Sequence, residues 1–412
     1  MRAPRNDQRR LEAGVLAAVA FGAVVAMLWA WRWNVRLNDY GTEAAAPLTA
    51  LLEGRILTFF QAAPAYGGSL MMRAPFALPG SLSGGGALLI YRLAALPCLA
   101  ALAALGVWLA RSARRHGSTL PAAVLCVLLC VANPIVYRAL ALGHPEEALG
   151  AALCVAAVLA ALRGRAVVAG VLLGLAIANK EWAVLAAGPV LLAVPGGRWR
   201  AVVIAGAVTG AFELPLFLSS PSASVGTSRI VVSQTGGTFY PFQAFWFFGA
   251  PGHWVTAMGP TWHGFRISPT WLDGRAHALI AWSGVPLSIL AAWRRMRRED
   301  GLALLALLLL VRCWLDPWDV VYYTLPAIVA LVAWEMMVAR RMPLAASAAT
   351  ALVWLVFQYL PNHVDENAQA VAFLIPSTLG LVALAAVVYR VPPLRTWRTS
   401  LRPLSRPSAA PS

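Results

Sequence analysis

Four short polar stretches interrupt an otherwise apolar chain: RLNDYGTE at 36–43, GHPEE at 143–147, NKEW at 179–182 and RCWLDPWDVVYY at 312–323. They hold the carboxylates Asp39, Glu43, Glu146, Glu147, Glu181, Asp316 and Asp319, the imidazole of His144, the cations Lys180 and Arg312, and the phenol of Tyr322. A carboxylate beside a hydroxyl can take its proton as a general base. Fixed cations in a water-poor cavity stabilise negative charge as it grows. Lys180 stands out because it is the only lysine; the other 32 basic residues are arginine. An ionisable side chain inside a membrane segment costs roughly 2.5–3.5 kcal/mol on insertion scales and marks a functional pathway by default.

The elements that must position these residues are membrane spans. The chain has 412 residues, 60% of them hydrophobic and 12% charged, about half the charged fraction of a soluble domain. Twelve apolar runs read as helices, at 13–32, 87–110, 119–140, 147–162, 166–178, 183–194, 201–218, 277–293, 301–315, 320–339, 344–360 and 370–389. This defines an all-α polytopic membrane protein. The termini and alternate turns carry 22 arginines, which puts them in the cytoplasm by the positive-inside rule and the four polar stretches outside. The net charge of +16 therefore reports topology rather than nucleic-acid binding. Residues 1–390 read as one transmembrane domain with long outer loops at 33–86 and 219–276. The basic tail 391–412 is expected to be disordered and to touch anionic lipid heads. The N-terminus imitates a signal peptide but ends its apolar run in AWRWN, without a small-residue cleavage site, and reads as a retained span. The five cysteines lie in apolar runs without metal or disulfide spacing.

Span length carries a prediction about Lys180. Residues 166–194 must leave the basic turn RGR and return to the basic turn PGGRWR. Each arm of about 13 residues rises roughly 20 Å, short of a hydrocarbon core about 30 Å thick. The NKEW turn is thus expected to stop inside the bilayer, where irregular charged backbone is tolerated only against protein or a watery cavity. In the first outer loop, Leu48, Leu51, Leu52, Ile56, Phe59 and Phe60 predict one amphipathic helix, with Glu53, Arg55 and Thr58 opposite. It lies either flat on the membrane or on the protein's own top.

The long loop opening with Asp39, the GHPEE turn, the AG–GLA–K pattern across 169–180 and the LDPWDVVYY turn resemble the GT-C superfamily of integral membrane glycosyltransferases. The actinobacterial mannosyl- and arabinofuranosyltransferases that use polyprenyl-phosphate sugars are the nearest in kind. The resemblance implies sugar transfer from a polyprenyl-phosphate donor to a lipid or glycan acceptor at the outer face of a bacterial plasma membrane. It implies Asp39 as general base, with Glu43 in reserve; the alternative for Asp39 is a helix N-cap or surface charge. Lys180 and Arg312, with Arg229 or Arg266, would face the departing phosphate, unless Arg312 is held by Asp316 one turn away. His144, Glu146 and Glu147 would orient sugar hydroxyls. They suit a divalent cation too, although a lipid monophosphate donor requires none, and no cofactor is expected. His253 and His263 are weaker phosphate candidates. Trp182, Trp246, Trp262, Trp314 and Trp318 can stack on a sugar or anchor at the interface. The competing reading is a twelve-helix secondary transporter or lipid flippase.

Overall fold

The structure, a computed structural model, describes residues 3–34, 39–219, 238–251, 266–267, 269–272 and 275–390. Every apolar run expected from the sequence is helical, and the protein is an all-α polytopic membrane protein. Among the described residues, eight helical stretches are long and apolar enough to cross a membrane, two of them (Leu120–Leu142 and Leu344–Asn362) made of more than one element, and Ala166–Asn179, Glu181–Ala193 and Val321–Met337 are shorter apolar segments. In chain order the helices are α1 (Ala3–Asn34), α2 (Ala45–Leu52), α3 (Ile56–Ala62), α4 (Gly67–Leu82), α5 (Ala87–Arg115), α6 (Leu120–Val131), α7 (Pro134–Leu142) and α8 (Pro145–Leu162). They continue with α9 (Ala166–Asn179), α10 (Ala187–Ala193), α11 (Arg198–Ser219), α12 (Ala276–Trp293), α13 (Gly301–Leu315), α14 (Leu325–Met337), α15 (Leu344–Trp354) and α16 (Glu366–Tyr389).

The helix boundaries follow local chemistry. Thr119 caps α6, accepting a hydrogen bond from the Ala122 amide, and Asn133 caps α7 through the Ile135 amide. Pro134 then sits where its missing N–H costs nothing. The α7 helix ends at Gly143, whose φ of +102° is left-handed. A Cβ at Gly143 would lie 2.6 Å from the Tyr40 amide nitrogen. Glycine therefore lets the chain around Asp39 press against the turn that begins with His144.

The 166–194 segment is the short hairpin expected. Gly164 lies against Pro195 and Gly197 against Ala166, so the chain returns to the face it left. The fourteen-residue α9 rises about 21 Å. It breaks at Lys180, whose backbone is extended (φ −161°, ψ 131°), and resumes as a 3-10 turn over Glu181–Ala186 before α10. Apolar burial does not drive helix association in lipid, so small residues that permit close backbone approach take that role. Gly170 and Gly174 of α9 supply it, lying against the backbone of Ala201 and Ala205 on α11.

The first loop differs from expectation. The predicted single amphipathic helix is two helices, α2 and α3, broken at Gly54 (φ +77°). Leu48 and Phe59 are buried while Ile56 and Leu57 are exposed. An additional helix, α4, follows; glycine and two internal prolines hid it from a hydropathy reading. In the second loop, Thr238–Phe239, Ala250–Pro251 and Arg266–Ile267 pair antiparallel, with Arg266–Ile267 central.

Candidate active site

The segment before α2, the turn between α7 and α8, the break after α9 and the end of α13 with the turn after it bring the polar stretches together. Glu146 and Glu147 occupy the first turn of α8 and are wholly buried. Lys180 Nζ donates to Glu146 Oε1 at 3.1 Å and lies 3.9 Å from Glu147 Oε1. Arg312, near the end of α13, grips Glu147 with both terminal nitrogens at 3.3 Å. The Trp182 indole N–H donates to the same Glu147 carboxylate at 3.1 Å. Arg312 stacks over Trp182 and Tyr323, and Lys180 lies 4.3 Å above the Tyr66 ring. Glu146 and Glu147 therefore each have a cation, the condition under which buried charge is tolerated.

His144 carries this network outward to Asp39. Its Nε2 is 3.0 Å from Asp39 Oδ2 and its Nδ1 is 2.7 Å from Glu146 Oε1. An ionised carboxylate only accepts hydrogen bonds, so both nitrogens must donate and the ring is an imidazolium. Burial opposes that charge, but Glu146 and the hydrogen bonds to Asp39 and Glu146 outweigh it and lift the imidazole to about 9. The ring is stacked on Tyr322 with centroids 4.8 Å apart. Asp39 is the accessible end of the chain: its side chain is 43% exposed, whereas that of His144 is 7% exposed.

The other predicted residues divide. Glu43 accepts a 2.6 Å hydrogen bond from Tyr66 at the rim. Asp316 does not bridge Arg312; its Oδ1 accepts from the Trp318 amide at 3.0 Å and closes a turn, while Glu147 takes the guanidinium. A bidentate partner at 3.3 Å explains the preference. Asp319 is fully buried, and neither of its carboxyl oxygens has a hydrogen-bond partner among the described residues. Glu181 is exposed and stands outside the hydrogen-bonded network. Arg266 is also elsewhere, stacked over Trp246 and bonded to Asn367 and the Gly249 carbonyl. Trp246 donates to Asn367, and Trp318 meets Tyr240 edge-on. Arg229, His253, Trp262, His263 and the tail 391–412 lie outside the described residues. Among the described residues no three His, Cys, Asp or Glu side chains converge as a metal-binding group.

Sequence reasoning missed Arg73. It is 2% exposed on α4, and its Nη2 lies 3.6 Å from Glu146 Oε2. Its one signal was an arginine within the apolar LMMRAPF run. Asn179 was missed too: its Nδ2 donates to the Glu146 carbonyl, and its Oδ1 accepts from Ser69. This amide ties α4, α8 and the break before Lys180 into one unit.

The fold and this buried acid–cation cluster are those of a membrane protein with polar chemistry held within its helical bundle. The chain matches the model of glycosyltransferase family 87 over residues 68–316, more than half its length, and it belongs to that family. No curated protein and no solved structure gives a match. The protein is thus a membrane glycosyltransferase, which decides against the transporter reading. The matched region contains Arg73, His144, Glu146, Glu147, Lys180 and Arg312, and begins after Asp39.

Proposed function

We propose that the protein moves a sugar of the mannose or arabinofuranose class from a polyprenyl-phosphate donor to a hydroxyl of a lipid or glycan acceptor, at the outer face of a bacterial plasma membrane. The single observation that carries the reading is the Asp39–His144 contact at 3.0 Å, with Asp39 the exposed carboxylate of an otherwise buried network. The acceptor hydroxyl attacks the anomeric carbon and gives its proton to Asp39. The bond from that carbon to the phosphate oxygen breaks, and its electron pair leaves with the lipid phosphate. His144 orients Asp39 and keeps its second oxygen free. Lys180 and Arg312 present positive charge to the departing phosphate from a site of low water content. Each remains held by glutamate, so the cations are fixed before the donor arrives.

A lipid-linked donor fits a site enclosed by membrane helices, and a donor lacking a nucleotide needs no metal to hold a diphosphate. The reading is tested with purified protein in detergent, radiolabelled polyprenyl-phosphate mannose or arabinofuranose, and a hydroxyl-bearing lipid acceptor. Label appearing in the acceptor is the expected result. Transfer from a nucleotide sugar but not from the lipid-linked sugar would overturn the donor assignment.

A further inference from the structure

At the face opposite this cluster, α12 and α16 end side by side, at Trp293 and Tyr389. The opposite placement follows from α13, which begins just after the 294–300 turn and carries Arg312 at its far end. The Tyr389 hydroxyl donates to the Leu287 carbonyl at 3.2 Å and ties the two ends together. Between them lies an open cavity of about 430 Å³, lined by Trp293, Arg294, Arg295, Tyr389 and Arg390. That is within the range of small-molecule sites.

Positive turns on one face follow from topology alone, but this one has more. Its three arginines converge on one concavity from segments 95 positions apart in sequence. None of the three has a carboxylate partner among the described residues. The acids of the same turn, Glu299 and Asp300, are taken by Arg297 at 4.0 and 3.1 Å. The chain that follows, 391–412, holds four further arginines and no Asp or Glu, so its side chains cannot neutralise the cavity. Trp293 is 76% exposed beside it, and tryptophan is the residue type enriched where headgroup meets acyl chain.

We propose that this cavity seats the phosphate diester headgroup of an anionic phospholipid from the adjoining leaflet. Arg294, Arg295 and Arg390 bind the phosphate oxygens through their planar forks, and Trp293 packs on the start of the acyl chains. One exposed ion pair between an arginine and the phosphate corresponds to up to about fivefold in affinity.

The test uses the full chain in detergent, titrated with phosphatidylglycerol or phosphatidylcholine and read by native mass spectrometry. The wild type is expected to retain phosphatidylglycerol in preference to phosphatidylcholine. The R294Q/R295Q/R390Q variant should lose on the order of a hundredfold in that affinity, and R390Q alone about fivefold. The comparison variant R165Q/R198Q/R200Q removes the same charge from exposed arginines at other turns of that face and should bind as the wild type does. Equal loss in the comparison variant would mean diffuse attraction and overturn the site. If inorganic phosphate alone raises the wild-type thermal midpoint as much as the lipid does, the occupant is free phosphate and the lipid assignment falls. Should the triple variant not fold, R390Q decides: unchanged retention overturns the proposal.

Discussion

Lys180 and Glu146, 34 positions apart, meet at 3.1 Å where α9 breaks beside the first turn of α8. Its ammonium balances buried glutamate, and under the proposed function it also faces the departing phosphate. Lys180→Ala should therefore act twice. Removing one partner of a buried pair costs about 3–5 kcal/mol, which thermal unfolding in detergent will register. In protein that remains folded, KM for the lipid-linked donor should rise more than KM for the acceptor. An unchanged donor KM would leave Lys180 with a purely structural role.

Asp39→Asn keeps the size of the side chain and an oxygen for His144 but cannot accept the acceptor's proton. Sugar transfer should fall by about 10²–10⁴, the usual span for a lost general base. Expression and unfolding temperature should stay near wild type, because Asp39 is the exposed end of the network. Retained transfer would remove Asp39 from the base role.

Glu147 and Arg312 form a bidentate pair with almost no solvent access. Glu147→Gln strands the guanidinium and should cost about 3–5 kcal/mol; Arg312→Met should cost less, because Glu147 keeps Lys180 at 3.9 Å and the Trp182 N–H. The double variant removes both charges and should be less destabilised than the sum of the singles, as double-mutant thermal unfolding will report.

His144 gives stability a signed pH dependence. Its imidazole rises from 6.5 to about 9 in the fold, because Glu146 and Asp39 favour the charged ring over the cost of burial. A raised value contributes stability that is fully present below about pH 6.5 and lost as pH climbs through about 9. The thermal midpoint should decline across that interval, and His144→Gln should flatten the decline. An identical slope in the variant would show that other groups set it.

Gly174 of α9 lies so close to α11 that a Cβ there would stand 2.7 Å from the Ala205 carbonyl oxygen and from Val208 Cβ. Gly174→Val must push the helices apart. A loss of about 1–3 kcal/mol is expected from overpacking, read by unfolding temperature, with reduced transfer because α9 positions Lys180.

Much of the architecture was legible because lipid imposes a simple rule: spans must be apolar, helical and of sufficient length. The short arms around Lys180 were legible by the same arithmetic. The first loop was not. A continuous hydrophobic stripe hides the break at Gly54, and a pattern rich in glycine and proline hides α4. The convergence of Asp39, His144, Glu146, Lys180 and Arg312 was visible as polar turns sharing one face, and family membership adds that the chain transfers sugar.

The partners within that convergence could not be read from the chain. Nearness in sequence suggested Arg312 with Asp316, yet the folded arginine binds Glu147, 165 positions away. It also brings Arg73 to Glu146, from a helix that hydropathy does not reveal. Composition and spacing determined which groups lie at the membrane's polar level, because desolvation acts on each segment separately. Tertiary structure decided which charges neutralise one another, because pairing energy depends on angstrom distances between side chains on different helices. It also left Asp39 as the outward end of the chain running through His144 to Glu146.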